Sequence, residues 1–432
     1  MKKFLLNYAA PALPLAMLGL PMYVYLPKVY ADLPLIGLTV AGFTLLFARL
    51  FDLFTDPFIG WISDRFRSRI HPMFWISIGM PITIIGVWEL FHPSPSTTPI
   101  ELALLIIITY TGWTLISVPH YAWGAELAKN NSERQLLATW REGAVLTGAL
   151  GALIAVALTQ DSNPLHQLAI IISVCLPITW ILLWFIPRIN VEKVNKPVNK
   201  LFFFRIEKSM KQLVLLHFLN ALAVGIPATL FLIYTETTLN LSQKQSGILL
   251  VVYFIAGLLA LPLWLGIAKN IGEIKTWRWS VWLSALAFFP VITFQPGDYI
   301  YFLIVCVLTG ATLGADIALP ATIQARLANN ESQRQQTPQE GTAFGAFGLA
   351  GKLALALAVG ISLPLIQTLT DNGIQDPLPW MYALIPAILK IIVGITLFKW
   401  HDSLSQDNVK QEIANENQII ANRISSPINK RV

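Results

Sequence analysis

Three charged residues lie close together in a stretch that otherwise has the composition of a membrane helix. The stretch is FARLFDLFTDPFIGWISDR, residues 47–65, and the charges in its middle are Arg49, Asp52 and Asp56. Their spacing places them on one face of an α-helix, within roughly 60° of arc. Because a charge at the centre of a bilayer costs roughly 2.5 to 3.5 kcal/mol, this face must border a cavity or a partner.

The two carboxylates restrict the chemistry of that face. Acids one helical turn apart repel each other, so either one of them is protonated or a cation lies between them. Asp52 and Asp56 therefore predict a cation site. The alternative is a structural salt-bridge cluster with Arg49.

The second half of the chain contains a related sequence and serves as an internal comparison. When the halves are aligned on a shared proline, Gly257 stands opposite Asp52. In the same alignment Leu261 stands opposite Asp56. The fold does not require these acids, which favours a functional role for them.

Three further charges lie in apolar surroundings. Lys352 occurs in GTAFGAFGLAGKLALALAVG, where small neighbours permit close helix contact. A lysine at this depth needs a carboxylate, a ligand or a path to water, and Asp316 in GADIALP is a candidate partner. Lys390 lines a vestibule or extends its ammonium group to the membrane surface, and its role is left open.

The helices that must position these residues are predicted from composition. Hydrophobic residues make up 55% of the 432 residues and charged residues 12%, which is typical of a membrane protein. Apolar stretches long enough to cross a bilayer predict twelve spans, at roughly 8–28, 35–62, 73–92, 100–122, 138–159, 166–187, 212–236, 246–268, 278–295, 299–325, 342–368 and 379–399.

The net charge of +6 does not indicate a nucleic-acid partner, because the basic residues follow the loops on one side of the membrane. By the positive-inside rule, both termini and the central loop are expected in the cytoplasm. Lys28 and Lys244 lie in loops on the other side. The basic residues assigned to the cytoplasmic side are Arg65, Arg67, Arg69, Lys129, Arg134, Arg141, the cluster at 188–211, Lys269, Lys275, Arg278, Arg326 and Arg334.

The chain divides into two related halves. ELAKNNSERQ at 126–135 recurs as RLANNESQRQ at 326–335, and a parallel repeat of this kind is typical of a two-lobed transporter with its binding site between the lobes. The predicted organisation is an N-terminal six-helix lobe at 1–187, a cytoplasmic linker at 188–211, a C-terminal six-helix lobe at 212–400 and a cytoplasmic tail at 401–432.

The turn after the second span reads GWISDRFRSR and resembles the loop signature of the major facilitator superfamily. Pairing of its acid with neighbouring arginines would make a cytoplasmic gate that opens and closes as the lobes move. The alternative is that its charges only determine topology. The predicted gate residues are Gly60, Asp64, Arg65 and Arg69.

Three stretches in order carry a more specific resemblance, namely ARLFDLFTDPFIGWISDRFRSR, VPHYAWGAELAKNNSERQ and FGLAGKLALAL. They resemble the glycoside-pentoside-hexuronide cation symporters, a branch of the major facilitator superfamily. The resemblance implies that superfamily's fold, twelve transmembrane helices in two six-helix lobes, and places Lys352 near the cation and sugar sites. The cation ligands that it implies are Asp52, Thr55, Asp56 and Thr114, whose oxygens suit sodium.

The sequence departs from the galactoside carriers of that family. It has no acid between Met1 and Tyr30, it has Ser117 at a fourth-helix position where they use an acid, and it has Tyr121 where they use tryptophan. Cation coupling is therefore expected and galactoside recognition is not. One branch of the family carries lysolipids, which fits a site with few carboxylates to grip a sugar.

The predicted function is symport of a small solute, such as a sugar, glycoside or uronide, driven by Na⁺ or H⁺ and requiring no cofactor. Arg49, Ser117, Tyr121, Asp316 and Lys352 are expected to serve the substrate or the coupling. The protein is expected as a monomer in a bacterial inner membrane. A lysolipid transporter on the same fold is the alternative, and an intramembrane aspartyl enzyme is a remote one because both acids share a helix.

Overall fold

A computed structural model describes residues 4–19, 21–66, 69–127, 131–158, 164–186, 207–335, 340–374 and 376–405. Over these ranges the chain forms helices and turns and contains no strand. The helices are α1 (Leu5–Ala9), α2 (Ala12–Gly19), α3 (Pro21–Val24), α4 (Leu26–Ala31), α5 (Gly37–Arg65), α6 (Pro72–Leu90), α7 (Pro99–Leu127), α8 (Asn131–Leu158), α9 (Pro164–Leu183), α10 (Lys208–Thr237), α11 (Gln243–Ile271), α12 (Glu273–Phe288), α13 (Tyr299–Gln335), α14 (Glu340–Asp371), α15 (Ile385–Lys399) and α16 (His401–Leu404).

Ten stretches of the described chain are long and apolar enough to cross a membrane. They are α1 to α3 together, α5, α6, α7, α9, α10, α11, α13, α14, and α15 with the π-helical turn that precedes it. The fifth and ninth of the twelve predicted spans correspond to α8 and α12, which are not among these ten. The first turns of α8 are polar, and α12 has only 16 residues. The predicted all-α membrane fold is confirmed, with its helices in the predicted order.

Local sequence explains where several helices begin and break. The first span is divided into short segments because proline has no N–H to donate and its ring crowds the preceding turn, and Pro11 and Pro21 lie at two of the divisions. At the start of α11, Ser242 and Gln245 form a capping box that satisfies two free backbone N–H groups.

Two helices begin earlier than the sequence predicts. The first residue of α8 is Asn131, whereas the predicted fifth span begins at 138, so this helix starts about two turns earlier than expected. The first residue of α10 is Lys208, within the predicted linker, and the linker before 207 lies outside the described residues. The predicted tail begins with the single turn of α16, and its residues from 406 onward also lie outside them.

The two halves of the chain pack together most closely along α5 and α14. A Cβ atom at Gly42 would lie 2.7 Å from Pro364 Cδ, and one at Gly360 would lie 2.5 Å from Leu46 Cδ2, so only glycine permits this approach. One hydrophobic core cluster contains residues of both halves, whereas the other contains residues between Met210 and Leu404 only. The first cluster therefore joins the two halves, and the second belongs to the C-terminal half alone.

Candidate functional site

Lys352 from α14 lies between the two acids of α5, and these three residues are called the triad below. Its Nζ donates to Asp52 Oδ2 at 2.9 Å and also to Asp56 Oδ2. The Asp52 side chain is 7% exposed, while those of Asp56 and Lys352 are 31% and 43% exposed. The triad thus bridges the two halves of the chain and is reached by solvent on the side of Asp56.

Two hydroxyl groups complete the arrangement around the acids. Thr114 Oγ1 of α7 donates to Asp56 Oδ1 at 2.8 Å and lies 3.4 Å from Asp52 Oδ1. Thr55 Oγ1 donates to the Asp52 carbonyl oxygen at 3.0 Å and lies 3.4 Å from Asp52 Oδ1. The four predicted cation ligands are therefore neighbours. Carboxylate and hydroxyl oxygens of this kind are suitable ligands for Na⁺.

Arg49 lies on the same face of α5 but turns away from the acids. Its Nη2 donates to the Met22 carbonyl oxygen at 3.0 Å, and its guanidinium carbon lies 5.8 Å from the centre of the Tyr23 ring. The alternative of a salt-bridge cluster between Arg49 and the acids is therefore wrong in this structure. Arg49 instead ties α5 to the first span.

An aromatic ring and a guanidinium group face each other between α7 and α8. The Arg141 Cζ atom lies 4.2 Å from the centre of the Tyr121 ring, and Arg141 Nη2 donates to Glu142 Oε1 at 2.7 Å. Tyr121 is 41% exposed, whereas Ser117, one turn earlier on α7, is buried. Arg141 lies within the predicted fifth span, but sequence reasoning counted it only among the basic residues that determine topology, because spacing does not reveal its contact with Tyr121 of another helix.

Asp316 does not pair with Lys352, and that expectation was wrong. It accepts from Lys390 Nζ and from Trp277 Nε1, the latter at 3.1 Å. Lys390 Nζ also donates to Asn220 Oδ1 at 2.9 Å, and Lys390 is 1% exposed. Lys390 of α15 therefore has buried partners on α10 and α13, and its ammonium group does not extend to the membrane surface.

The predicted cytoplasmic gate is described in part. Gly60 lies in α5 and packs near Val118 of α7. The Arg65 guanidinium lies 5.2 Å from the centre of the Trp61 ring, and Arg69 is exposed. The side chain of Asp64 lies outside the described residues, so the pairing expected of it stays a prediction.

With the site described, comparison with known proteins identifies the class. A family model described as MFS/sugar transport protein matches residues 7–400. The chain belongs to this family, a part of the major facilitator superfamily, and the predicted family is confirmed. Membership supports a transporter and gives no support to the aspartyl enzyme.

Several relatives are similar over part of their length. An uncharacterized symporter of Synechocystis is 30% identical over 190 residues, which are 40% of this chain and 34% of that protein. The inner membrane symporter YicJ of Escherichia coli is 28% identical over 154 residues, 33% of each chain. YagG of Escherichia coli, whose name is that of a glycoside/cation symporter, is 29% identical over 136 residues, which are 30% of this chain and 29% of that protein. The matches span about a third of each relative.

Solved structures share the fold. A mutant of the nucleoside transporter NupG superimposes with a TM-score of 0.68 at 15% identity and covers 92% of this chain and 99% of its own. A bacterial homologue of the iron transporter ferroportin, in an inward-facing state, superimposes with a TM-score of 0.63 at 14% identity. The match covers 93% of this chain and 99% of that one. At these identities the likeness establishes the fold alone.

Proposed function

We propose that the protein is a cation-coupled symporter of a sugar-type solute that works by alternating access as a monomer, with both termini cytoplasmic. The observation that carries the proposal is the position of Lys352. A cationic group from the second half of the chain lies between two acids of the first half. The link between the halves is thus made through the place that a coupling cation would take.

The charges of the triad explain why a cation would bind. Two carboxylates and one ammonium group leave one negative charge in excess, so the triad attracts Na⁺ or H⁺ even while Lys352 is bound. Lys352 acts as a tethered cation that holds the acids in the ion-free state. An arriving ion competes with it for the same oxygens.

Competition at the triad supplies a coupling mechanism. When an ion takes the acids, Lys352 is released and the bond between the halves is weakened, so the halves can rearrange around a bound solute. Without the ion, acids that have lost Lys352 resist enclosure in a closing cavity. The released ammonium group is then free to donate to the solute.

The exposed ring of Tyr121 and the partly buried guanidinium group of Arg141 are proposed as the first-half contact for the solute. A sugar ring stacks on an exposed aromatic face, while the guanidinium and the Glu142 carboxylate hydrogen-bond its hydroxyl groups. This arrangement replaces the acids of the galactoside carriers. It favours a sugar or glycoside over a solute without hydroxyl groups.

A lysolipid transporter is the second candidate function. It is favoured by a cavity of about 340 Å³ in the second half, which aromatic and aliphatic side chains line for most of its length. Cargo of this kind would use the same triad for coupling. A direct comparison of lysolipid with glycosides, described below, separates the two.

The cation proposal is tested by measuring ion binding without a known solute. Purified protein in nanodiscs is titrated with ²²Na⁺ at pH 6 and pH 8, and its thermal stability is followed with Na⁺ against choline. Asp52→Asn and Asp56→Asn should each weaken Na⁺ binding about 10- to 100-fold, because each removes a charged ligand worth ~1.5 to 3 kcal/mol.

Glu89→Gln is the matched control, since Glu89 is an exposed acid at the end of α6, and it should bind Na⁺ as the parent does. If protons drive transport instead, the parent shows no Na⁺ effect, and each Asn variant loses proton uptake on acidification. Unchanged ion responses in both Asn variants would overturn the proposal.

A further inference from the structure

The cavity in the second half has the volume of a small-molecule site. It measures about 340 Å³, within the range of ligand pockets, and is called the C-half cavity here. Its walls come from α10 to α15 and the π-helical turn before α15, with Tyr23 and Val24 of α3 contributed by the first half. Its two charged side chains, Lys390 and Asp316, lie at a different level along α15 and α13 from the aromatic Tyr382 and Phe302.

The polar end is built around the buried pair of Lys390 and Asp316. An ammonium group has three N–H donors, and the described contacts of Lys390 engage two of them, with Asp316 and Asn220. A carboxylate offers about four acceptor positions, and Asp316 uses two. This end therefore offers a donor and an acceptor side by side, which is the pairing that a hydroxyl group satisfies.

The charge balance of the polar end favours a neutral ligand. The positive charge of Lys390 and the negative charge of Asp316 cancel each other. Among the described residues that line the cavity, there is no other lysine or carboxylate. A ligand bearing one charge would leave that charge uncompensated in a buried place, which is strongly unfavourable. A sugar hydroxyl group brings no such charge.

The opposite end of the cavity is aromatic. Phe231, Phe288, Phe302 and Tyr382 line it. On α13, Phe302 and Asp316 are separated by about 21 Å at 1.5 Å per residue. The cavity thus joins a hydrogen-bonding end to an elongated apolar end, as an alkyl or aryl group attached to a sugar requires.

The C-half cavity adjoins the triad. Gly351, which precedes Lys352, lines it, and so does Tyr23, whose ring lies beside Arg49. Along α14 the polar end is level with Lys352, since His217 at that end lies 3.2 Å from a Cβ built on Gly351. A solute held there would meet the Lys352 ammonium group when an ion releases it.

We propose that the C-half cavity binds a neutral amphipathic glycoside, with a sugar hydroxyl group on Lys390 and Asp316 and the alkyl or aryl aglycone among the aromatic side chains. The assignment rests on the proposed function and names its substrate class. Aglycone length, and not only the sugar, then determines affinity.

The test measures the binding of methyl, hexyl and octyl glycosides of glucose, galactose and xylose to the protein in nanodiscs. Binding of each compound to empty nanodiscs is the control. For at least one sugar, affinity should rise about threefold per added methylene until the cavity is filled. No ion gradient is applied, so this dependence is independent of the ²²Na⁺ measurements, and either proposal can fail alone.

Two positions on α13 provide a matched pair of variants. Val305 lines the cavity and is 6% exposed, whereas Val307, two residues on, is 42% exposed. Val305→Phe should lower octyl glycoside affinity at least about tenfold and leave methyl glycoside binding unchanged, while Val307→Phe changes neither. Ala228→Leu, on the α10 wall, repeats the test with a smaller volume change if Val305→Phe does not fold.

The polar end is tested with the charges removed together. Lys390→Met combined with Asp316→Asn avoids an unpaired buried charge, and should weaken binding of every glycoside while keeping the dependence on chain length. Octanoate, octylamine and lysophosphatidylcholine are the competitors. Equal affinity for methyl and octyl glycosides, equal effects of the two valine variants, or preferential displacement by a charged competitor or the lysolipid would overturn the proposal.

Discussion

At the scale of single residues, the molecule keeps its embedded charges by pairing them across helices. The acids of α5 meet Lys352 of α14, and Asp316 of α13 meets Lys390 of α15. The first cluster is partly exposed through Asp56 and Lys352, while the second is almost fully buried and lines the C-half cavity. Partial exposure allows exchange of an ion, so the first cluster suits coupling and the second suits recognition.

Substitution of Lys352 tests its role as a tethered cation. Lys352→Gln removes the competitor for the acids, so Na⁺ should bind about tenfold more tightly, because a charge-assisted hydrogen bond to each acid is lost. Ion binding should no longer change the distance between the halves, measured by electron resonance between spin labels.

Lys275→Gln is the control, since Lys275 is exposed on α12, and it should alter neither quantity. Weaker Na⁺ binding in Lys352→Gln would contradict competition and make Lys352 a supporting group instead.

Sequence reasoning reached the residues of the triad but only part of their geometry. The spacing of Asp52 and Asp56 fixes their shared face because helical periodicity is local. The contact of Lys352 with Asp52 joins residues 300 positions apart, and spacing gives no information on such a contact. For the same reason the sequence suggests the wrong lysine for Asp316, since only the folded structure brings Lys390 of α15 to it.

At the scale of helices, the contact between α5 and α14 places Lys352 beside the acids. This contact depends on Gly360, where a Cβ would lie 2.5 Å from Leu46. Helix identity and order were predictable because long apolar stretches are a strong signal. The first residues of the helices were not predictable, because the polar first turns of α8 have the composition of a loop.

A methyl group at Gly360 should separate α5 from α14. Gly360→Ala is expected to lower the free energy of unfolding of the ion-free protein by about 1 to 3 kcal/mol, as overpacking does. It should also weaken the contact between the halves through Lys352. Gly348→Ala on the same helix is the matched control, because a Cβ there meets open space. Scanning calorimetry in nanodiscs checks both, and equal melting temperatures would show that α5 and α14 adjust without cost.

At the scale of the whole molecule, a second charged contact joins the halves at the end where the chain leaves the first span. Lys28 of α4 pairs with Glu236 at the end of α10, and with Asp32 at 3.2 Å. Burial lowers the pKa of Lys28, but hydrogen bonds and charge from Glu236 and Asp32 raise it more, so the pKa lies above its ordinary value. Since the pKa is raised, the contribution of Lys28 is complete below the ordinary lysine pKa and is lost as pH rises through the raised value.

Breaking this contact should open the molecule at that end. In a background with Cys175→Ser, Cys306→Ser and Val24→Cys, Lys28→Gln should increase labelling of the new thiol by an impermeant maleimide up to about fivefold, because a partly exposed ion pair contributes ~0 to 1 kcal/mol. The ratio to the parent should be constant from about pH 7 to 9, where Lys28 stays charged.

The double variant Lys28→Glu with Glu236→Lys, which exchanges the two charges, should label the thiol at the same rate as the parent. Lys244→Gln, at an exposed lysine at the start of α11, should have no effect. A charge exchange that labels as fast as Lys28→Gln would mean that Lys28 acts through packing and not through its charge.

The distance in sequence between Lys352 and the acids has a consequence for biosynthesis. The ribosome completes α5 long before α14, so Asp52 and Asp56 enter the bilayer before their counter-charge exists. Until the later helix inserts, the nascent chain must keep these acids protonated or next to water. Final assembly of the membrane domain is thus delayed until the eleventh span arrives, and a truncated first half carries a charge imbalance that the complete chain corrects.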